Sequence, residues 1–251
     1  MINSFLFFCD SSAYSCYVKR GKTAVTTALS IEVCQIKPAQ PVGISGGYII
    51  PNIEVYSIAT SEQQPGRVPL ESTQTINSTV AKILNASPKL FPHNSLKIGD
   101  DKDHAKWTYV MFIDVMVLCD DGCLLDTVLF SISKLLSNDG KPITFPDMKY
   151  DKLRAELYRT GENREMQVEF SSLPISVSFS VFSSDEGKSV LFLDPDNREV
   201  KLSDENLLTI VGTSSRFISV EQQGSRLPEK LKQEAMFLSQ KHFKDLSQYM
   251  K

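Results

Sequence analysis

The N-terminal quarter of the chain alternates short runs of β-branched and aromatic residues with turn-forming residues, and this pattern predicts β-structure. Residues 13–18 and 23–33 have the composition of strands, and residues 19–22 between them supply the glycine and the charges of a hairpin turn. Residues 48–55 predict a further strand, which we place at a sheet edge because Pro51 has no N–H to donate to a neighbour.

Two helices and a central strand are predicted in the middle of the chain. Apolar residues recur every three to four positions over residues 70–86 and again over residues 124–136, the spacing of a helix with one buried face. Between them, residues 107–118 are apolar on both alternations apart from Thr108 and Asp114, which predicts a strand covered on both faces. Two aspartates and a glycine then predict the turn into the second helix.

The C-terminal half begins with a polar excursion at about residues 147–164, which is either a boundary or a long surface segment. Residues 175–181 alternate apolar residues with serine, which predicts a strand with one buried and one polar face. Three more strands are expected at residues 190–194, 207–212 and 217–221. A last helix is expected from Pro228 onwards, and its apolar face carries Leu231, Ala235, Leu238, His242 and Leu246.

Strands at each end and a helix-forming middle favour an α+β fold. We expect residues 1–251 to form a single compact domain of mixed sheets with packed helices; two closely linked lobes are the alternative.

Composition narrows the possible functions. The chain has 27 basic and 30 acidic residues and 41% hydrophobic residues, which is typical of a globular protein and provides no basic excess for gripping nucleic acid alone. No apolar run is long enough to cross a membrane, so we expect no membrane partner and an intracellular location. The five cysteines lack the paired spacing of a zinc site, so we predict reduced thiols and no metal.

Four stretches in this order, residues 13–33, 47–54, 107–126 and 191–195, resemble the RNase PH-like proteins. Within that family, the sequence is most similar to the non-catalytic ring subunits of the eukaryotic RNA exosome core, of the forty-three type. The resemblance implies an RNase PH-like fold from about residue 13 to the last helix. The family usually begins with a helix and an Arg-Pro-Asp-Gly-Arg segment, and we expect this leading segment to be absent here.

Active relatives degrade RNA by phosphorolysis, and the resemblance implies where that chemistry would lie. They hold phosphate in a Gly-Thr-Arg-Thr turn at a helix N-terminus; the matching turn here reads Gly-Cys-Leu-Leu, with Cys123 and Leu124 in place of the hydroxyl and the guanidinium. Asp194 resembles one family acid, but the second, six residues later, is Val200, and Glu199 is an imperfect substitute. We therefore predict no catalytic residues and treat Cys123, Leu124, Asp194 and Val200 as degenerate positions.

Arg67 is the residue for which we predict RNA contact, because its polar loop resembles the channel-facing loop of relatives. The other candidates have simpler explanations. Asp114 is either a catalytic or a structural carboxylate, and the sequence Asp194-Pro195 is typical of a turn.

The leading hypothesis is a non-catalytic structural subunit of the exosome ring, which scaffolds 3′-to-5′ RNA processing and degradation and helps to line the RNA channel. The resemblance implies several partners: other RNase PH-like subunits in a hetero-hexameric ring, RNA-binding cap subunits, and single-stranded RNA in the assembled channel. It implies no cofactor, and a location in the nucleus, including the nucleolus, and in the cytoplasm. Two alternatives remain: an active phosphorolytic 3′-to-5′ exoribonuclease that uses Asp194, Glu199 and Arg67, and an unrelated small-molecule enzyme with a tight apolar pocket.

Overall fold

The computed structural model describes residues 2–8, 14–36, 47–56, 58–59, 71–85, 91–98, 106–151, 154, 156–169, 172–183, 189–203, 206–225 and 227–248. The strands in this part of the chain are β1 (Ile2–Phe8), β2 (Tyr14–Arg20), β3 (Thr23–Ile36), β4 (Tyr48–Val55), β5 (Lys97–Ile98), β6 (Lys106–Cys119), β7 (Ile143–Asp151), β8 (Glu156–Met166), β9 (Ile175–Ser183), β10 (Ser189–Leu193), β11 (Leu207–Gly212) and β12 (Phe217–Gln223). The α-helices are α1 (Glu71–Asn85), α2 (Leu124–Ser137), α3 (Asn197–Leu202) and α4 (Glu229–Gln248), and short 3-10 helices span His93–Leu96 and Asn138–Gly140. The α+β prediction is confirmed.

The larger sheet has the order β1-β2-β3-β6-β4, with β5 paired to β6. Strand β4 runs parallel to β6 at the edge of the sheet, as Pro51 predicted, and the other neighbours are antiparallel. The predicted hairpin is the β2–β3 pair. Strand β1, which pairs with β2 along its whole length, was not predicted.

Helix α2 lies at the centre of the fold. It packs on β2 and β3 of the larger sheet and on β9 of the smaller sheet, and all of its residues except Leu125 are buried. Helix α1 packs on β4 and contacts α2, so both helices contribute to one hydrophobic core.

The prediction that residues 107–118 are covered on both faces holds for residues 108–111 and is wrong for the second half of the strand. Met111, Ile113 and Val115 are fully buried, but Asp114 and Leu118 on the opposite face are exposed. The reason is tertiary: Val115 faces the core to which α1 and α2 contribute, whereas the other face is buried at Thr108 and Val110 and only partly covered or exposed from Phe112 to Leu118.

The smaller sheet has the order β10-β9-β11-β12, and its central strand β9 also departs from the prediction. The serine face of β9 is not solvated, because Ser176, Ser178 and Ser180 are all fully or almost fully buried. Ser176 and Ser178 face α2 and donate hydrogen bonds to Asp126 in its first turn. The alternation was correctly recognised, but a second layer of structure covers the polar face.

The polar excursion lies in a two-stranded antiparallel hairpin, β7–β8. The Tyr109 hydroxyl anchors this hairpin to the larger sheet, because it donates to the Pro146 carbonyl oxygen at 2.8 Å and accepts from the Met148 N–H at 2.8 Å.

Helix α4 begins near Pro228 as predicted, and Ala235 and Leu246 of its predicted apolar face are buried. Leu238 is 37% exposed, and Ser239 and Phe243 are buried instead. Helix α4 packs on β9, β10 and β11. No helix among the described residues is long and apolar enough to span a membrane.

Candidate functional site

The turn between β6 and α2 carries Cys123 and Leu124, the two positions that the sequence analysis predicted to have lost phosphate donors. Asp120 makes this turn as predicted, because its Oδ1 accepts the Gly122 N–H at 3.0 Å. Gly122 has a φ of +115° and Cys123, the N-cap of α2, has a φ of +47°. Within the described residues the Cys123 side chain makes no hydrogen bond that caps α2.

A second loop, residues 194–197, packs directly against this turn. The Asn197 N–H donates to the Asp121 carbonyl oxygen at 2.8 Å, and the Cys123 thiol donates to the Pro195 carbonyl oxygen at 3.4 Å. A Cβ atom at Gly122 would lie 2.8 Å from the Pro195 carbonyl oxygen. This close approach requires glycine, and it fixes Asp194 beside the start of α2.

Three charged side chains meet beneath the two loops. Arg20, at the end of β2, lies between Asp126 of α2 and Asp194: one guanidinium nitrogen is 2.9 Å from Asp194 Oδ1 and the other is 3.7 Å from Asp126 Oδ2. The Arg20 side chain is 6% exposed, and Asp126 is fully buried. A buried carboxylate needs such a partner, because desolvation of an isolated charge is costly.

Asp126 is also held by hydrogen bonds from β9. It accepts from Ser176 Oγ at 2.6 Å and from the Ser178 N–H at 2.8 Å. Burial raises the pKa of Asp126, while the Arg20 charge and these hydrogen bonds act in the opposite direction. Through Arg20 of β2 and the two serines of β9, Asp126 connects α2 to both sheets.

Two further titratable groups adjoin this cluster. Burial raises the pKa of the Cys123 thiol, and the negative charges of Asp126 and Asp194 raise it further, so the thiol is neutral. Burial also lowers the pKa of His242 on α4, and the Arg20 charge acts in the same direction. The ligand atoms of Cys123, Asp126 and Asp194 lie within 4.8 Å of one another, a grouping that the sequence analysis did not foresee.

A cavity of about 580 Å³ opens beside the turn, between α1, α2, α3 and the smaller sheet. Leu124 and Val200, two of the degenerate positions, line it together with Cys123. Its polar groups are mainly hydroxyls and amides, with Glu221 as the charged residue, and none of the described lining residues is a lysine or an arginine. Such a cavity lacks the charge-assisted donors with which proteins usually bind phosphate.

Two other candidate residues, Glu199 and Asp114, are engaged in contacts of their own. Glu199 Oε2 accepts the Asp196 N–H at 2.9 Å and forms a capping box at the start of α3, so it is engaged in its own helix. Asp114 lies on the exposed face of the larger sheet, where it accepts from Asn52 Nδ2 at 3.1 Å. Arg67 lies outside the described residues.

Sequence reasoning missed Arg20 and Asp126. Arg20 was taken as one of several charges in a hairpin turn, and Asp126 entered only as the last residue of a stretch that resembles the family. The only local signal was an acid inside a helical stripe that is otherwise apolar, and such an acid is rarely buried without a partner.

Comparison with known proteins identifies the family. Residues 10–142, just over half of the chain, match the RNase PH family, described as the 3′ exoribonuclease family, domain 1. The chain belongs to this family. Among relatives, it is 26% identical to the exosome complex component Rrp42 of Archaeoglobus fulgidus over 227 residues, which cover 90% of this chain and 76% of the relative.

Other relatives and the solved structures agree with this family. The chain is 26% identical to the exosome complex component rrp43 of Schizosaccharomyces pombe, with 80% of this chain and 70% of the relative covered. Its fold is similar to that of a chain in the Archaeoglobus fulgidus exosome with RNA bound to the active site (TM-score 0.77, 22% identity, covering all of this chain and 88% of the other). A chain of an archaeal exosome core is similar to it with a TM-score of 0.71 and 22% identity, over all of this chain and 86% of the other. These structural similarities support the RNase PH-like fold predicted from the sequence.

Proposed function

We propose that this chain is a structural, non-catalytic subunit of an RNA exosome ring. The relatives named above as exosome complex components support the assembly. The observation that carries the non-catalytic part is the cavity beside the turn, whose described lining offers hydroxyls, amides and one carboxylate but no cation. Inorganic phosphate needs donors that compensate its charge, and an acid in the lining opposes it.

The second acid that phosphorolysis would need is also missing in this proposal. Val200 lines the cavity with an apolar side chain, and Glu199 is committed to the α3 cap. Asp194 keeps its place, but Arg20 neutralises it. With Oδ1 occupied by the Arg20 guanidinium and no second carboxylate beside it, Asp194 is poorly placed to exchange a proton with a substrate.

The proposed partners are other RNase PH-like chains in a hetero-hexameric ring, RNA-binding cap subunits, and single-stranded RNA threaded through the channel. In this arrangement the chain supports 3′-to-5′ processing and degradation without binding a cofactor. For a eukaryotic host we propose the nucleus, including the nucleolus, and the cytoplasm. Co-purification in equal amounts with other RNase PH-like chains is the expected result, and recovery of the chain without any of them would contradict the assembly.

A phosphorolysis assay tests the non-catalytic part. The isolated chain and the assembled ring are incubated with labelled oligo(A) and phosphate, and nucleoside diphosphate is measured. We expect no phosphate-dependent product from the isolated chain, and no change in the ring when it carries Asp194→Asn, with ring assembly checked by size. Appreciable product from the isolated chain, or its loss from the ring on Asp194→Asn, would favour the alternative of an active phosphorolytic exoribonuclease.

Arg67 remains our proposed RNA contact. If it faces the channel, Arg67→Ala in the assembled ring should weaken RNA binding several-fold and reduce the salt dependence by about one phosphate contact. Arg154→Ala is the matched control, because the Arg154 side chain is 80% exposed and lies in the segment between β7 and β8. Equal effects of the two substitutions would remove Arg67 as a specific contact.

A further inference from the structure

The cluster of Cys123, Asp126 and Asp194 has the composition of a divalent metal site, yet a protein cation lies against it. A thiol and two carboxylates offer three ligand atoms within 4.8 Å of one another. Both carboxylates approach the Arg20 guanidinium, at 2.9 and 3.7 Å. A metal ion bound to these three ligand atoms would therefore lie close to the positive charge of Arg20.

Strand pairing and burial keep the Arg20 side chain beside the two aspartates. Its backbone lies in β2, paired with Ile2 of β1 on one side and with Thr23 of β3 on the other. Its side chain is 6% exposed, and within the described residues neither terminal nitrogen has a partner with good hydrogen-bond geometry. Charge, rather than directed hydrogen bonding, thus holds the guanidinium against the two aspartates.

The third ligand is also engaged. The Cys123 thiol donates to the Pro195 carbonyl oxygen, and the chain from Asp194 to Asn197 is fixed on the turn by the hydrogen bond to Asp121. A metal ion would have to bind close to Arg20 and also take the proton from Cys123. Both requirements oppose binding, although the ligand atoms are correctly spaced.

We propose that Arg20 is a built-in cation that takes the place of a divalent metal between Asp126 and Asp194 and closes this cluster to metal ions. The inference deepens the proposed function, because it gives the reason why Asp194 is unavailable for chemistry. It does not depend on ring assembly, so its test can fail while the structural role stands.

Cobalt(II) binding to the full chain tests the proposal. Arg20→Met removes the charge but keeps much of the side-chain volume, and it should create a site of one thiolate and two carboxylates. We expect one equivalent of Co²⁺ per chain and a thiolate-to-cobalt absorption band in the near ultraviolet. The affinity should exceed that of the wild-type chain by at least about 100-fold, because a like charge within about 4 Å of the metal position has been removed.

Two control variants assign the band to the cluster. Arg20→Met combined with Cys123→Ser should lose the band, since the thiolate is its source. Arg20→Lys keeps a cation and should resemble the wild-type chain. A band of equal strength in the wild-type chain, or no band in folded Arg20→Met, would overturn the proposal.

If Arg20→Met does not fold, the stability of a second variant shows whether Arg20 acts through its charge or through packing. Asp126→Asn and Asp194→Asn added to Arg20→Met remove the two negative charges together with the positive one. Recovery of a folded chain supports a charge-neutralising role for Arg20. Continued failure to fold would show that Arg20 acts by packing, and the proposal would be wrong.

Discussion

Gly122→Ala is the substitution that most directly tests the packing of the 194–197 loop on the turn before α2. The new Cβ would lie 2.8 Å from the Pro195 carbonyl oxygen and 2.9 Å from the Asn197 nitrogen. Both atoms belong to the backbone and cannot rotate away, so one of the two loops must move.

The expected loss follows from two contributions. A φ of +115° is unfavourable for an L-residue and costs about 1–2 kcal/mol. Displacement of the loop weakens the 2.8 Å hydrogen bond from the Asn197 N–H to the Asp121 carbonyl oxygen, which contributes about 0.5–1.5 kcal/mol. We therefore expect a loss of about 2–3 kcal/mol in the free energy of unfolding, or a fall in Tm of about 4–12 °C for a chain of this size.

Thermal and denaturant unfolding measure this loss, and Gly140→Ala is the matched control. Gly140 also has a positive φ, +77°, but no neighbouring atom of the described residues lies within 4 Å of the position of its Cβ. We expect the control to lose only about 1 kcal/mol, the cost of the backbone conformation. If Gly122→Ala is no more destabilising than Gly140→Ala, the loop does not pack on the turn as described.

Three further outcomes are expected. The pKa of His242 is lowered in the folded chain, so its contribution to the free energy of unfolding is present above the unfolded pKa near 6.5 and is lost as the pH falls below that value. His242→Gln should therefore flatten the decline in unfolding free energy between about pH 7 and pH 5. An unchanged pH profile would contradict this. Maleimide labelling should be slow at Cys123, whose pKa is raised, and fast at the exposed Cys119, so Cys119→Ser but not Cys123→Ser should reduce the fast phase. Tyr109→Phe removes both hydroxyl bonds to β7 and should cost about 1–3 kcal/mol and speed hydrogen exchange in that strand; the half-exposed Tyr158→Phe is the control, and equal effects would argue against the anchor.

Local patterns were sufficient for most of the elements. The β2–β3 hairpin, the edge position of β4 and the bounds of α1 follow from composition, from the missing N–H of Pro51 and from helical periodicity. The hairpin turn is shorter than predicted, because Lys19 and Arg20 belong to β2. Strand β1 was missed, and the other main errors concern burial. Asp114 and Leu118 are exposed, and the serines of β9 lie beneath α2, because the layer that covers a strand is distant in sequence.

The sequence by itself determined the α+β character and the family resemblance, and it placed Cys123 and Leu124 where that resemblance predicts lost phosphate donors. These depend on residue identity in a short segment, which the chain displays directly. Only the tertiary structure brought Arg20 between Asp126 and Asp194, which lie more than a hundred residues further along the chain. The periodicity of the sequence does not predict this contact. It depends on how two sheets and a helix pack, and on the need of buried carboxylates for a counter-charge.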